Sequence, residues 1–343
     1  MYWTYSEAEF PDPTWNREAA VADMPPFDPD TSVAYTEPLK AYCRFYGLDL
    51  DVERPGVVYR LGYLAAARFR VALHFFSQPE SRGTVFIFHG YLDHSGLYTR
   101  LIDHCLDENL NVVIYDQPGH GLSSGKPTAI NSFRDYQRVL ERVLYYFETR
   151  TVEPWLAIGQ STGGGVLIDH LISNGCTNDS SRFRGVTLLA PLIRPTGFRR
   201  GKLMHTVARP FLTQWHRVFA ENSNDTDFVR FLKEHDPLQA RAMAMEWLNA
   251  LRQWIVRIES APPVDYELTV IQGEADKTVE WRHNLQVIRR KFSRVWVYQI
   301  PEGRHHLVNE SEAILDQVFD AISESIRRTL NTSNNGKEAK IHE

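Results

Sequence analysis

From residue 57 onward, short apolar runs alternate with longer helix-compatible stretches. Residues 57–64 and 69–76 predict two strands, and 84–88 predicts a third, whose nearly unbroken apolar character marks burial on both faces. A helix over 97–105, a strand over 111–115 and a long helix over 133–149 follow. A strand over 155–158 then runs directly into a helix, and another strand covers 185–189. Strand signals stop between residue 194 and about 260, where helical segments rich in large apolar residues take over. They resume at 267–271 and 295–298, each followed by a helix. This alternation predicts a mostly parallel sheet covered by helices on both faces. No internal repeat is present.

The two ends of the chain differ from the middle. Six of the 18 prolines (Pro11, Pro13, Pro25, Pro26, Pro29 and Pro38) fall in the first 38 residues and predict an extended arm laid on the main domain. A short helix follows it, with Thr36 as N-cap, Pro38 in the first turn and Gly47 just past the end. Residues 331–343 are polar and predict a frayed tail. The expected organisation is an arm and short helix over 1–50, a core built from 51–193 and 261–330, a helical lid over 194–260, and the tail.

At 343 residues there is room for one large α/β domain with an insertion. A net charge of -5 argues against a nucleic-acid partner, which calls for a basic surface. A basic cluster at Arg194, Arg199, Arg200 and Lys202 keeps a transient membrane-surface contact open. Cys43, Cys105 and Cys176 are odd in number and unpatterned, which points away from a disulfide framework or a zinc site. No apolar stretch reaches the ~18 residues of a spanning helix, and the first residues lack a secretory signal, so a cytoplasmic location is expected.

Candidate chemistry centres on Gly159-Gln160-Ser161-Thr162-Gly163, a G-x-S-x-G turn between the 155–158 strand and the helix after it. A serine on so tight a turn is pushed out of the fold, and glycines two residues to either side let strand and helix approach. Such a serine needs a base and an acid to orient that base. In doubly wound hydrolases these follow in the order Ser, Asp or Glu, His, each at the carboxyl end of a strand. Asp276, with Glu274 as a distant second, follows the 267–271 strand, and the adjacent His305 and His306 follow the 295–298 strand. A tetrahedral oxyanion also requires fixed donors, expected from the backbone N–H groups of Thr162 and Tyr91. His89 and His94 precede Ser161 and are expected to shape the oxyanion loop, while Asp116 and His120 are expected to brace a turn. Gly163, Gly164 and Gly165 are not followed by Lys-Ser/Thr, which excludes a phosphate loop.

His89-Gly90-Tyr91-Leu92-Asp93-His94-Ser95-Gly96-Leu97-Tyr98 resembles the HG-x-x-x-HS-G-x-Y signature of the monoglyceride lipase, lysophospholipase and serine aminopeptidase group of the α/β-hydrolase superfamily. Asp116-Gln117-Pro118-Gly119-His120-Gly121-Leu122-Ser123 is similar to the group's D-x-x-G-H-G-x-S turn. The segment from His305 to Glu310 resembles its H-E-x-x-N-E, with His306 standing where the group has glutamate. The likeness runs from Gly83 to Glu310 and leaves the N-terminal arm outside.

The resemblance implies an α/β-hydrolase fold, a doubly wound, mostly parallel sheet with an inserted helical lid. It also implies Ser161 as nucleophile, Asp276 as orienting acid, His305 as base with His306 the alternative, an oxyanion hole from Tyr91 and Thr162, and no metal or cofactor. The expected activity is hydrolysis of a small-molecule acyl ester, lipid-like in character, such as a monoacylglycerol or lysophospholipid. Phe211, Trp215, Phe219, Phe228, Phe231, Leu232, Met243, Met245, Trp247, Leu248, Leu251 and Trp254 are too many apolar side chains for the lid to bury internally. Some are expected over Ser161. On the same fold the rivals are a serine aminopeptidase with Glu221, Asp225 or Asp227 holding the substrate amine, an acyltransferase, and a non-catalytic receptor.

Overall fold

The computed structural model describes residues 15–31, 34–198, 214–216 and 221–339. Eight strands form one sheet: β1 (Val58–Ala66), β2 (Phe69–Ser77), β3 (Thr84–Phe88), β4 (Asn111–Tyr115), β5 (Trp155–Gln160), β6 (Phe183–Leu189), and two late strands at Val264–Gly273 and Phe292–Ile300. Two further short strands, β7 (Gln214–His216) and β8 (Ala242–Ala244), pair antiparallel outside it, so the late strands are β9 and β10. The sheet order is β1-β2-β4-β3-β5-β6-β9-β10. β2 pairs antiparallel with both β1 and β4, and every pairing from β4 to β10 is parallel.

Helices α1 (Arg17–Asp23), α2 (Glu37–Phe45) and α3 (Leu50–Glu53) precede β1. α4 (Thr99–Asp107), α5 (Arg134–Phe147) and α6 (Thr162–Ser173) alternate with the central strands. α7 (Thr226–Arg230) and α8 (Met245–Ser260) lie in the insertion between β6 and β9. α9 (Trp281–Lys291) follows β9 and α10 (Glu312–Ala339) follows β10. Alternation along β3 divides the core: Phe86 and Phe88 face the layer of α5, α6, α8 and α9, whereas Val85 and Ile87 face the layer of α2, α4 and α10.

Sheet order reverses at β3, which has β4 on one side and β5 on the other. Such a switch point opens a crevice at the carboxyl ends of the strands. Register brings those ends level, with Phe88 opposite Gly159, Leu189 opposite Gln160 and Ile271, and Gly273 opposite Ile300. Loops leaving β3, β5, β9 and β10 therefore meet above one edge of the sheet.

Several expectations change here. The arm is not extended throughout: Asn16 caps α1 by accepting from the Ala19 N–H at 2.8 Å, a signal hidden among prolines. Beyond α1 the chain does run extended, as its prolines predict. Tyr63 donates to the Pro25 carbonyl at 2.8 Å and Phe27 to the Tyr63 carbonyl at 2.9 Å, which covers part of the edge strand β1. α2 begins after Thr36 as expected and ends before Gly47 at φ 62, although Thr36 makes no side-chain cap. The insertion is not purely helical, since β7 and β8 pair within it. α10 runs on to Ala339, past the start of the expected frayed tail. Arg199, Arg200, Lys202, Phe211 and Phe219 lie outside the described residues.

Candidate active site

Ser161 sits between β5 and α6 at φ 52 and ψ -110, a conformation rarely adopted by residues with a side chain. Neighbouring backbone holds it there: its N–H donates to the Leu189 carbonyl at 2.8 Å, and its carbonyl accepts from Gly165 and Leu192, both at 3.0 Å. The flanking glycines are sterically required. A Cβ on Gly159 would lie 2.7 Å from the Gly163 carbonyl carbon, and one on Gly163 would overlap the Phe88 carbonyl oxygen.

Beside Ser161 stands His305, whose Nε2 is 2.9 Å from the serine Oγ. On the far side of the ring, Nδ1 is 2.7 Å from Asp276 Oδ2. The other Asp276 oxygen accepts from the N–H groups of Thr278 at 2.7 Å and Val279 at 3.2 Å, and Gln272 Nε2 donates to Oδ2 at 3.3 Å. Burial tends to raise the Asp276 pKa, but the His305 ring and the backbone donors outweigh it and bring it below the usual carboxylate value. An ionised Asp276 places the proton of neutral His305 on Nδ1 and leaves Nε2 to accept from the Ser161 hydroxyl. Gln160 Nε2 fixes the His305 backbone by donating to its carbonyl at 2.7 Å.

His306 turns away. Its Nε2 lies 3.3 Å from Asp93 Oδ2, and its ring packs against Phe228 with centroids 4.7 Å apart. Glu274 is exposed. The loop after β3 comes close to the serine: a Cβ on Gly90 would stand 3.4 Å from Ser161 Cβ. That places the Gly90–Tyr91 segment next to the nucleophile candidate. Tyr91 is itself pinned, because its hydroxyl donates to the Thr128 carbonyl at 2.9 Å and accepts from the Ala244 N–H at 3.2 Å. Its ring stacks on Trp247 of α8 with centroids 3.6 Å apart.

The two early histidines do shape this loop. His89 Nε2 accepts from the Gln117 N–H at 2.7 Å, so Nδ1 carries the proton it donates to the Gly90 carbonyl, also at 2.7 Å. His94 Nε2 lies 3.1 Å from Asp236. Asp116 accepts from the N–H of Ser95 and that of Leu122, each at 2.7 Å, tying this loop to the turn that follows β4. His120 braces the same turn through the Pro118 carbonyl at 2.9 Å. Sequence reasoning gave Glu310 no role, yet it accepts from the N–H of Arg304 at 2.7 Å and that of Asn224 at 2.8 Å, clamping the His305 loop to the insertion. Its place at the end of the segment resembling H-E-x-x-N-E was the available signal.

The large apolar residues of the insertion mostly pack inward, with Phe228, Phe231, Leu232, Met245, Trp247, Leu251 and Trp254 all buried, while Met243 and Leu248 are partly exposed. Arg194 is paired with Glu259. Among the described residues no His/Cys/Asp/Glu group is arranged to hold a metal, and no helix is long and apolar enough to cross a membrane.

Compared with known proteins, residues 79–312 match the model of the family described as serine aminopeptidase, S33. The chain belongs to that family. S33-family membership agrees with its relatives and its fold. Human monoglyceride lipase is 25% identical over 260 residues, spanning 71% of this chain and 81% of the relative. A monoglyceride lipase homolog of monkeypox virus is 30% identical over 255 residues, spanning 70% and 88%. Among solved structures, a soluble variant of monoglyceride lipase from Saccharomyces cerevisiae, in complex with a substrate analogue, superposes with a TM-score of 0.67 at 17% identity. It covers 79% of this chain and 95% of that one. Monoacylglycerol lipase from Paleococcus ferrophilus gives 0.64 at 20% identity, covering 76% and 98%. The fold is that of the α/β-hydrolases.

Proposed function

We propose that the chain is a serine-dependent carboxylic-ester hydrolase that cleaves lipid-like esters, monoacylglycerols or lysophospholipids, through an acyl-enzyme. The observation that carries this reading is the continuous relay from Ser161 Oγ to His305 Nε2 at 2.9 Å and from His305 Nδ1 to Asp276 at 2.7 Å. Ser161 attacks the acyl carbon as its proton passes to His305, and ionised Asp276 stabilises the imidazolium that forms. The oxyanion takes hydrogen bonds from the N–H groups of Tyr91 and Thr162, the latter at the N-terminus of α6. Collapse expels the alcohol with the proton from His305. Water then repeats the sequence and frees the carboxylic acid, restoring Ser161.

The ester class is supported by relatives described as monoglyceride lipases and by the state of the acidic residues an aminopeptidase needs. Glu221 pairs with Arg304 at 3.2 Å, Asp225 with Arg100 at 3.1 Å and Asp227 with Arg230 at 2.7 Å. An acid held in a largely buried pair with arginine, as Asp225 is, makes a poor anchor for a substrate amine. Ser161→Ala is expected to abolish cleavage of a p-nitrophenyl ester and of a monoacylglycerol without changing the circular dichroism spectrum, and to stop labelling by a fluorophosphonate probe. Turnover retained in that variant overturns the mechanism. Faster cleavage of an aminoacyl amide than of either ester favours the peptidase.

A further inference from the structure

The segment before β1 is outside the family match, and the chemistry above gives it no task. Yet Tyr46, the residue that closes α2, is wholly buried against the loop carrying Tyr91. Its ring lies on Gly96 so closely that a Cβ there would be 2.6 Å from Tyr46 Cγ. It meets the His94 ring edge-on with centroids 4.8 Å apart. The Tyr46 carbonyl accepts from Thr99 Oγ1 at 2.7 Å.

Its hydroxyl donates to Asp236 Oδ1 at 2.7 Å, and the other oxygen of that carboxylate is 3.1 Å from His94 Nε2. Asp236 belongs to the insertion, where its Oδ1 also accepts from the Leu238 N–H at 3.0 Å. One phenol thus links the N-terminal segment, the loop over 89–98 and the insertion. Asp236 is buried as well, so a donor lost there leaves a carboxylate oxygen short of a hydrogen bond with little water to replace it. A second hold comes from α1: Arg17 donates from Nε to the Gly121 carbonyl at 2.7 Å and from Nη2 to the Ser123 carbonyl at 2.9 Å. That turn contains the Leu122 N–H bound by Asp116, which in turn fixes Ser95.

We propose that Tyr46 is a positioning residue for the reaction: through Asp236 and His94 it sets the loop that presents the Tyr91 N–H, which makes the N-terminal segment part of the catalytic apparatus. The proposal rests on the reading of Ser161 as nucleophile and the Tyr91 N–H as an oxyanion donor. The hydroxyl acts at a distance, so its loss affects the charged tetrahedral state more than the bound ester.

Tyr46→Phe keeps the ring against Gly96 and His94 and removes only the hydroxyl. Kinetics are measured per Ser161 titrated with a fluorophosphonate, together with inhibition by a trifluoromethyl ketone, which forms a tetrahedral oxyanion on the serine, and by the product fatty acid. The expected result is a parallel fall of about tenfold in kcat and in ketone affinity, with KM and fatty-acid affinity within about twofold of wild type. Asp236→Asn, a second route to the same network, is expected to give the same parallel fall and serves if Tyr46→Phe does not fold. Unchanged kcat and ketone affinity per titrated site in either variant, or equal losses for ketone and fatty acid, overturn the proposal alone. A wild-type chain that the fluorophosphonate does not label overturns the Ser161 reading and this proposal with it.

Discussion

His305 is subject to two opposed influences. Burial disfavours its charged form, while the Asp276 carboxylate at 2.7 Å, joined by the charge of Asp93, favours it. The carboxylates prevail, so its pKa lies above the ordinary imidazole value of 6.5. In the proposed mechanism His305 must be neutral to accept the Ser161 proton. The acidic limb of the kcat/KM profile is therefore expected above pH 6.5, with activity lost as the pH falls through it. Asp276→Asn removes the anion, and kcat is expected to fall by about 10⁴ with the limb displaced to lower pH; a limb that does not move assigns the titration to another group. His306 tests the same geometry from the other side. His305→Asn should reduce fluorophosphonate labelling by about 10³ or more and His306→Asn by less than about tenfold, so equal losses would contradict the assignment. The convergence of Ser161, Asp276 and His305 was legible in the sequence because each follows a strand in a fixed order. The choice between His305 and His306 was not, since it depends on how the backbone turns after β10. Tyr46 and Asp236 were illegible for another reason: they are 190 residues apart and no spacing rule joins them.

Elements, more than single side chains, bring Ser161, His305 and Asp276 together. β5 and α6 meet at so short a distance that Gly163→Ala drives a methyl into the Phe88 carbonyl, and the variant is expected either to fail to fold or to lose ester turnover by at least about a hundredfold. Near-native turnover would mean that the turn between β5 and α6 tolerates a shift the structure does not offer. α8 acts on the neighbouring loop through the Trp247–Tyr91 stack, and Trp247 Nε1 donates to the Tyr136 hydroxyl at 3.0 Å. Trp247→Ala is expected to cost about 3–5 kcal/mol in urea unfolding and to lower kcat, with Trp247→Phe recovering most of both. Equal damage from Phe and Ala would deny the stack a role. The eight sheet strands were readable because apolar runs of strand length are bounded by polar loops. β7 and β8 escaped because three-residue strands carry no period, and α1 because its capping asparagine sits among prolines that argue for extended chain.

At the scale of the whole molecule, buried histidines make the fold sensitive to mild acid. Burial pushes the pKa of His74, His120 and His170 from 6.5 down to about 4, and lowers those of His89 and His104 as well. Each of the first three stays neutral in the native state below pH 6.5 while its unfolded counterpart takes up a proton. The unfolded chain then binds more protons, and stability falls as the pH drops from 6.5 toward 4. A shift of that size corresponds to an upper bound of about 3–4 kcal/mol per histidine, against a total stability on the order of 5–15 kcal/mol. His94 and His305 oppose the trend, because their raised values add stability below pH 6.5 that is lost at higher pH. The lowered carboxylates Asp93, Asp116 and Asp276 contribute stability that survives until the pH falls below the ordinary carboxylate value of 3.8. With more of the described histidines depressed than raised, the thermal midpoint is expected to drop between pH 7 and pH 5, before those carboxylates protonate. His170 offers a check: it lies on α6 with Nδ1 3.1 Å from Asn174 Nδ2, and His170→Gln removes one titrating ring. Urea unfolding of that variant should lose up to one proton's worth of slope, about 1.4 kcal/mol per pH unit, between pH 6.5 and 4. A wild-type midpoint that stays level from pH 7 to pH 5 would show that the histidines raised by carboxylates balance those lowered by burial.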